Sequence, residues 1–267
     1  MKILQVVLVT FLWASVLLIS EEVSLPSTVF VFYRTLFSLL IIVPIAFIKG
    51  ELEKPRISHI ISGVFLALNW LFLFMAVPLV GPSTADFIYY TAPIISLILS
   101  KILGEEIPIS SWIAATISFT GVGMIFSFSM SNPIGMLYAF LGALFYGSVV
   151  VMGKMIKSSP TSITLYQMII STIIMFPFTL RYHDPISAKN FMLLLIAGVL
   201  NTGIALVLWW DALKKLGVKT ASVLSYMDPM FALILSIFLL GYHPRMWEIL
   251  GGFLILVGGI TVSVKSR

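Results

Sequence analysis

Ten apolar runs, each about long enough to cross a bilayer as a helix, follow one another along the chain with only short polar or Pro/Gly breaks between them. They fall near residues 3–20, 28–48, 57–77, 83–103 and 110–128, then 134–153, 162–180, 190–210, 219–240 and 246–264. A spanning helix needs roughly 20 mostly apolar residues. Ten of them take most of the 267 residues and leave no room for a soluble catalytic domain. Hydrophobic residues make up 60% of the chain and charged ones 10%, against about 45–50% and 25% in soluble domains. Lipid must therefore replace water as the main solvent, and the expected class is an all-α integral membrane protein. The stretch Val77-Pro78-Leu79-Val80-Gly81-Pro82 is barely polar, but the forty-odd apolar residues around it cannot cross only once. Met1 to Ser20 has features of a signal peptide, yet its apolar run is long for one and similar runs follow it, so it is expected to remain as the first span.

Lys and Arg fix an orientation. With the N-terminus inside, twelve of them, from Lys2 to Lys265 and Arg267, fall on the inner side, while Arg181, Lys189 and Arg245 fall outside. The remaining one, Arg34, lies within a span. Both termini are thus expected in the cytoplasm, with the protein in the plasma membrane. The basic residues are scattered between apolar runs, not clustered on one face, which argues against nucleic acid as a partner. Trp112, Trp209, Trp210 and Trp247 fall at expected helix ends, where aromatic belts form.

Several functions are excluded. With no cysteine there are no disulfides, thiolate metal sites or thiol nucleophiles. His59, His183 and His243 are far apart, and neither a Gly-x-Ser-x-Gly elbow nor a phosphate-binding Gly-rich loop occurs. No enzyme activity, cofactor or metal is expected. The expected partners are a small-molecule substrate and the bilayer, and monomer and homodimer both remain open.

The chain repeats itself. At an offset of 133, Trp13-Ala14-Ser15 lies over Tyr146-Gly147-Ser148, and Tyr33-Arg34 with Pro44 lies over Tyr166-Gln167 with Pro177. At an offset of 136, Gly81, Ala85, Tyr90 and Pro93 lie over Gly217, Ala221, Tyr226 and Pro229, and Pro108 over Pro244. Two five-helix halves follow, 1–130 and 131–267. Because five is odd, the second half enters the membrane inverted relative to the first, an arrangement common among secondary transporters.

These features together resemble the drug/metabolite transporter superfamily, in the group built from two EamA domains. The resemblance rests on Leu12-Trp13-Ala14-Ser15, on Tyr33-Arg34, and on the Pro93 and Pro229 helices running into Leu103-Gly104-Glu105 and Leu240-Gly241. The closing run Gly251 to Gly259 adds to it, whereas Tyr242-His243 departs from the Glu105-Glu106 of the first half. It implies an exporter of amino acids, metabolites or drugs working by exchange or proton coupling, with a cavity lined by helices 1, 3, 4, 6, 8 and 9. A lipid translocase or a structural membrane subunit is the rival class.

Charges inside spans are the most informative residues, because each costs roughly 2.5–3.5 kcal/mol to insert. Asp228 falls near the midplane of the ninth span, next to Pro229, which frees a backbone carbonyl. It is the leading candidate for proton exchange or for holding a cationic amine, with capping of the freed backbone as the structural alternative. Arg34 and Asp86 lie at similar depths on the outer side and are gating or coupling candidates. Arg34 could pair with Asp86, bind a substrate carboxylate, or snorkel to headgroups. Asn69 and Asn201 are mid-membrane amides that must face inward, for a solute or as interhelical glue. With Trp13, Trp70, Tyr90, Tyr146 and Tyr226 they complete an expected amphipathic substrate site. Gly135, Ala139, Ala143 and Gly147 form a packing stripe, and Gly251, Gly252, Gly258 and Gly259 would serve either intrachain packing or a dimer contact.

Overall fold

The structure, a computed structural model, describes residues 2–126 and 132–265. Arg267, counted above with the inner charges, the last two residues of the fifth expected helix and the 130/131 repeat boundary lie outside the described residues. The described chain is a bundle of helices: α1 (Lys2–Val23), α2 (Ser27–Ile48), α3 (Ile57–Val80), α4a (Pro82–Tyr89), α4b (Ala92–Ile102) and α5 (Ile109–Ile125). The second half supplies α6 (Pro133–Met155), α7 (Pro160–Thr179), α8 (Ala188–Leu216), α9a (Val218–Leu224), α9b (Met227–Leu240) and α10 (Met246–Lys265). Counting the halves of α4 and of α9 as single spans, nine helices among the described residues are long and apolar enough to cross a membrane. The tenth, α5, has 17 residues, the lower edge of the spanning range. The protein is a multi-pass membrane protein.

Local chemistry sets the ends. Asn132 caps α6 by accepting from the N–H of Ile134 (3.0 Å) and of Gly135 (3.2 Å), and Ser159 caps α7 from Ser162 N–H at 3.1 Å. Each cap is followed by a proline at the first helical position, where a missing N–H costs nothing.

The repeat is visible in the backbone. Gly81 (φ 78°, ψ 158°) opens α4a and Gly217 (φ 79°, ψ 163°) opens α9a. This corner is open essentially to glycine alone, and the two glycines are the pair aligned in sequence. A little over two turns on, both spans break, α4 at Tyr90–Thr91 and α9 at Ser225–Tyr226, just before Pro93 and Pro229. A proline inside a helix removes a donor and collides with the preceding turn, so both halves turn at the same place.

Packing obeys the same symmetry. Helices α5 and α10 pack together, as do α2 and α7, and each of these pairs maps onto itself under exchange of the halves. The contact of α3 with α6 is mirrored by α8 with α1, that of α4 with α6 by α9 with α1, and that of α3 with α7 by α8 with α2. The fold is thus two inverted five-helix repeats. Its largest core includes Leu66, Leu97, Met168, Trp209 and Trp210.

Two expectations about ring and charge placement are corrected. Trp209 and Trp210 are fully buried, not in an interfacial belt. The helix carrying them continues to Leu216, so they fall inside it, and Trp210 donates its indole N–H to Gln167 Oε1 at 2.9 Å. Arg34 is 7% exposed and points into the bundle, not out to headgroups, because Trp70 and Thr202 receive it there.

Candidate functional site

A cavity of about 450 Å³ enters the bundle, walled mostly by the first half, with Tyr146, Leu206, Ser225 and Asp228 from the second, within the roughly 300–1,000 Å³ of small-molecule sites. Its mouth is framed by Glu21, Ser27 and Pro82, at the end of α1 opposite Lys2, and its lining continues inward to Pro93, Leu206 and Asp228. Both helix breaks therefore abut it, and the N-terminal turn of α9b carries Asp228.

Aromatic rings make up much of the wall: Trp13, Phe30, Trp70, Phe74, Tyr89, Tyr90 and Tyr146. Tyr146 stacks on Tyr89 with centroids 5.8 Å apart and planes 27° apart, and Trp13 rests on Trp209 at 5.2 Å. Three carboxyls, Glu21, Asp86 and Asp228, share the lining with a single basic residue, Arg34. None of the four ion pairs among the described residues includes any of these. Asp228 Oδ1 is buried and has no hydrogen-bond partner among the described residues, while the Tyr90 side chain stands beside its carboxyl. A cavity of this kind complements a solute with a positive group, a flat ring or both, since ring faces and carboxylates attract cations.

Seven of the ten residues singled out by sequence line the cavity: Trp13, Arg34, Trp70, Asp86, Tyr90, Tyr146 and Asp228. The other three lie outside the lining. Asn69 stands one layer back, donating to the Tyr89 hydroxyl and to Gly142 O, both at 3.0 Å. Asn201 ties α8 to α1 through Leu12 O and Ser15 Oγ. Tyr226 is fully buried, 6.3 Å from Phe119, and its hydroxyl has no partner among the described residues. Helix α2, absent from the expected lining set, contributes Ser27, Phe30 and Arg34. Tyr89 also lines the cavity, and its only mark in the sequence is its place beside Tyr90 at the break.

The opposite end is tied shut. Lys2 pairs with Asp211, and Lys154 with Glu105 at 2.6 Å. Lys214 donates to the carbonyls of Ile156 (2.8 Å) and Ser158. Loop 49–56 clasps the start of α7: Ser162 Oγ and the Tyr166 hydroxyl donate to Glu51 O and Glu53 O, and Ser159 N–H donates to Glu53 Oε1 at 2.6 Å. The cavity is thus open at one end of the bundle only.

Comparison with known proteins agrees with this architecture. The EamA-like transporter family model matches twice, at residues 1–127 and 133–264. An uncharacterized transporter of Bacillus subtilis is 28% identical over 99% of this chain and 90% of its own length. An S-adenosylmethionine uptake transporter of Rickettsia felis is 23% identical over 88% of this chain and 82% of its own length. A crystal structure superposes with a TM-score of 0.89 at 17% identity, covering 100% of this chain and 98% of the other, which establishes the fold.

Proposed function

The chain belongs to the EamA-like transporter family, and on that premise we propose that it moves a small amphipathic metabolite, an amino acid or a related solute, across the plasma membrane by alternating access. The single observation that carries this reading is the buried oxygen of Asp228, without a hydrogen-bond partner among the described residues, in an aromatic-walled cavity closed at one end and open at the other. Rearrangement of the helices would break the Lys2–Asp211 and Lys154–Glu105 ties at one end and close the mouth at the other. The twelve-to-three distribution of basic residues supports cytoplasmic termini, which makes the conformation described here outward-open.

Asp228 is assigned two exclusive occupants, a proton or the cationic group of the solute. A carboxyl that must release one to take the other couples them as an antiport, and an inward proton gradient then drives the solute out. S-adenosylmethionine, named for the Rickettsia felis relative, joins an α-amino acid, a sulfonium cation and a flat purine. That chemistry suits a wall of carboxyls and aromatic rings.

The test is transport into liposomes containing the purified protein, with labelled S-adenosylmethionine, tyrosine and arginine as probes. Uptake of at least one probe, stimulated by a pH gradient in the native protein and not in Asp228→Asn, supports the reading. Transport of none of them, with lipid scrambling in the same vesicles, would sink it in favour of a lipid translocase. Pronounced gradient dependence in Asp228→Asn would remove the proton role alone.

A further inference from the structure

Among the described residues, Arg34 has no carboxylate partner. Its Nε–H donates to Thr202 Oγ1 at 3.0 Å, and its guanidinium carbon lies 5.0 Å from the centre of the Trp70 ring. Of its five N–H donors, only this one is bonded among the described residues, and the side chain is 7% exposed and lines the cavity. A buried cation is ordinarily neutralised by a counter-ion. Here no described residue supplies the neutralising group, and the unused part of the guanidinium lies at the space a solute would occupy.

The other half of the repeat shows what a purely structural residue looks like at this place. Gln167 occupies the aligned position on α7. Its amide donates to Ser62 Oγ at 2.7 Å and accepts from Trp210 at 2.9 Å, so it is satisfied at both ends. Arg34 makes the corresponding link from α2 to α8, yet keeps its far end unbonded.

Thr202 is aimed by a backbone irregularity. Residues Val199–Ile204 form a π turn inside α8, a costly local winding often found at functional sites. In this turn the Thr202 hydroxyl donates to Ala197 O, five residues back, at 2.8 Å. A carbonyl can only accept, so the hydroxyl's proton is committed and its lone pairs face Arg34. Just before the π turn, α8 is pressed against α2: a Cβ on Gly198 would lie 2.9 Å from Arg34 O. The approach that brings Thr202 to Arg34 thus depends on glycine.

We propose that Arg34, held by Thr202 and flattened on Trp70, binds the carboxylate of the transported solute through its Nη groups. The solute is then zwitterionic at one end, its cationic group directed to the cavity carboxyls and its carboxylate to Arg34. Thr202 is a positioning residue, acting only through Arg34. The inference rests on the transport reading above and adds the solute class to it.

The experiment compares amino acids with their decarboxylated amines, which keep the ring or cation and lose only the carboxylate. Suitable pairs are tyrosine and tyramine, arginine and agmatine, and S-adenosylmethionine and its decarboxylated form, each measured by competition for transport and by thermal stabilisation. The native protein should favour the amino acid of at least one pair by about tenfold or more, the scale of a charge-assisted hydrogen bond. Arg34→Gln and Thr202→Val should reduce that ratio toward one, while Thr202→Ser should keep it. A native ratio near one with transport intact, or an undiminished ratio in Arg34→Gln, overturns the carboxylate assignment. Transport of no member of any pair instead overturns the transport reading itself, and this inference with it. Chloride titrated alone is the control: Arg34-dependent stabilisation by chloride would assign the site to an inorganic anion and overturn the proposal.

Discussion

A Cβ on Gly121 would stand 2.4 Å from the carbonyl oxygen of Gly251, and one on Gly251 would stand 2.5 Å from that of Gly121. Helices α5 and α10 therefore meet backbone to backbone, and Gly258 extends the contact, its hypothetical Cβ lying 2.1 Å from Ser118 Oγ. Gly252 and Gly259 differ, because a Cβ there would meet only Met230 at 3.5 Å or Leu224 at 3.6 Å. All five glycines thus face neighbours in the same chain. Alanine at Gly121, Gly251 or Gly258 should lower stability by about 1–3 kcal/mol, as overpacking does, while alanine at Gly252 or Gly259 should be tolerated. Melting temperatures in detergent decide it, and equal losses at all five positions would contradict the backbone contact.

The two mid-membrane amides should separate in their effects. Asn69 holds the Tyr89 hydroxyl at the cavity wall, so Asn69→Ala should weaken solute binding as well as cost about 1 kcal/mol of stability. Asn201 bonds to α1 outside the lining, so Asn201→Ala should destabilise with little change in affinity. Binding isotherms beside melting curves test the split, and a larger affinity loss in Asn201→Ala would reverse the assignment.

The tied end makes the open state adjustable. The Lys2–Asp211 and Lys154–Glu105 pairs are about one-third exposed or less, and pairs of this kind contribute about 0.2–1 kcal/mol each. Removing both in Asp211→Asn/Glu105→Gln should shift the population several-fold away from the conformation described here. Because the chain has no cysteine, Ser225→Cys in the cavity gives a single reactive thiol. Its labelling by a small impermeant reagent from the side of Glu21 should slow by a similar factor, whereas an unchanged rate would show that these pairs do not hold the tied end.

Loop 49–56 should be acid-sensitive. Partial burial pushes the Glu53 carboxyl up, but the Ser159 N–H, the Ser158 hydroxyl and the charges of Arg56 and His59 outweigh it and hold the carboxyl below its ordinary value of 4.5. A carboxyl depressed by folding stabilises the protein above its unfolded titration range, and that contribution fades as pH falls through the folded one. Between pH 6 and pH 3.5 the native protein should therefore lose more stability than Glu53→Gln, by less than about 1 kcal/mol at this partly exposed site. Parallel melting temperatures of the two proteins from pH 6 downward would expose an error if their differences stayed constant.

Much of this was legible in the sequence because prolines, glycines and long apolar runs leave marks that survive without coordinates. Gly81 and Gly217 aligned in sequence and took up the same corner; Pro93 and Pro229 marked both breaks. Counting along a helix also placed Asp228 at mid-depth. Depth, however, is not direction. Tyr226 turns into the core while its mate Tyr90 lines the cavity, and because each sits at a break, a regular helical period does not carry across to tell the two apart. The π turn inserts an extra residue into one turn of α8, and a face extrapolated from a regular 3.6-residue period is lost around Asn201. Arg34 was ambiguous for a different reason: whether a guanidinium snorkels depends on acceptors from other helices, here Thr202 and Trp70, which only the folded bundle brings together.

The mid-span position of Asp228, ten residues from the start of the 23-residue span Val218–Leu240, has an electrical consequence. A cation that reaches this carboxyl from the mouth has traversed about half the transmembrane field. At about 2.3 kcal/mol per elementary charge per 100 mV, the membrane voltage then contributes roughly 1 kcal/mol to occupancy before the bundle moves at all. Affinity measured in detergent, where no voltage exists, would differ by that amount from affinity in an energised cell.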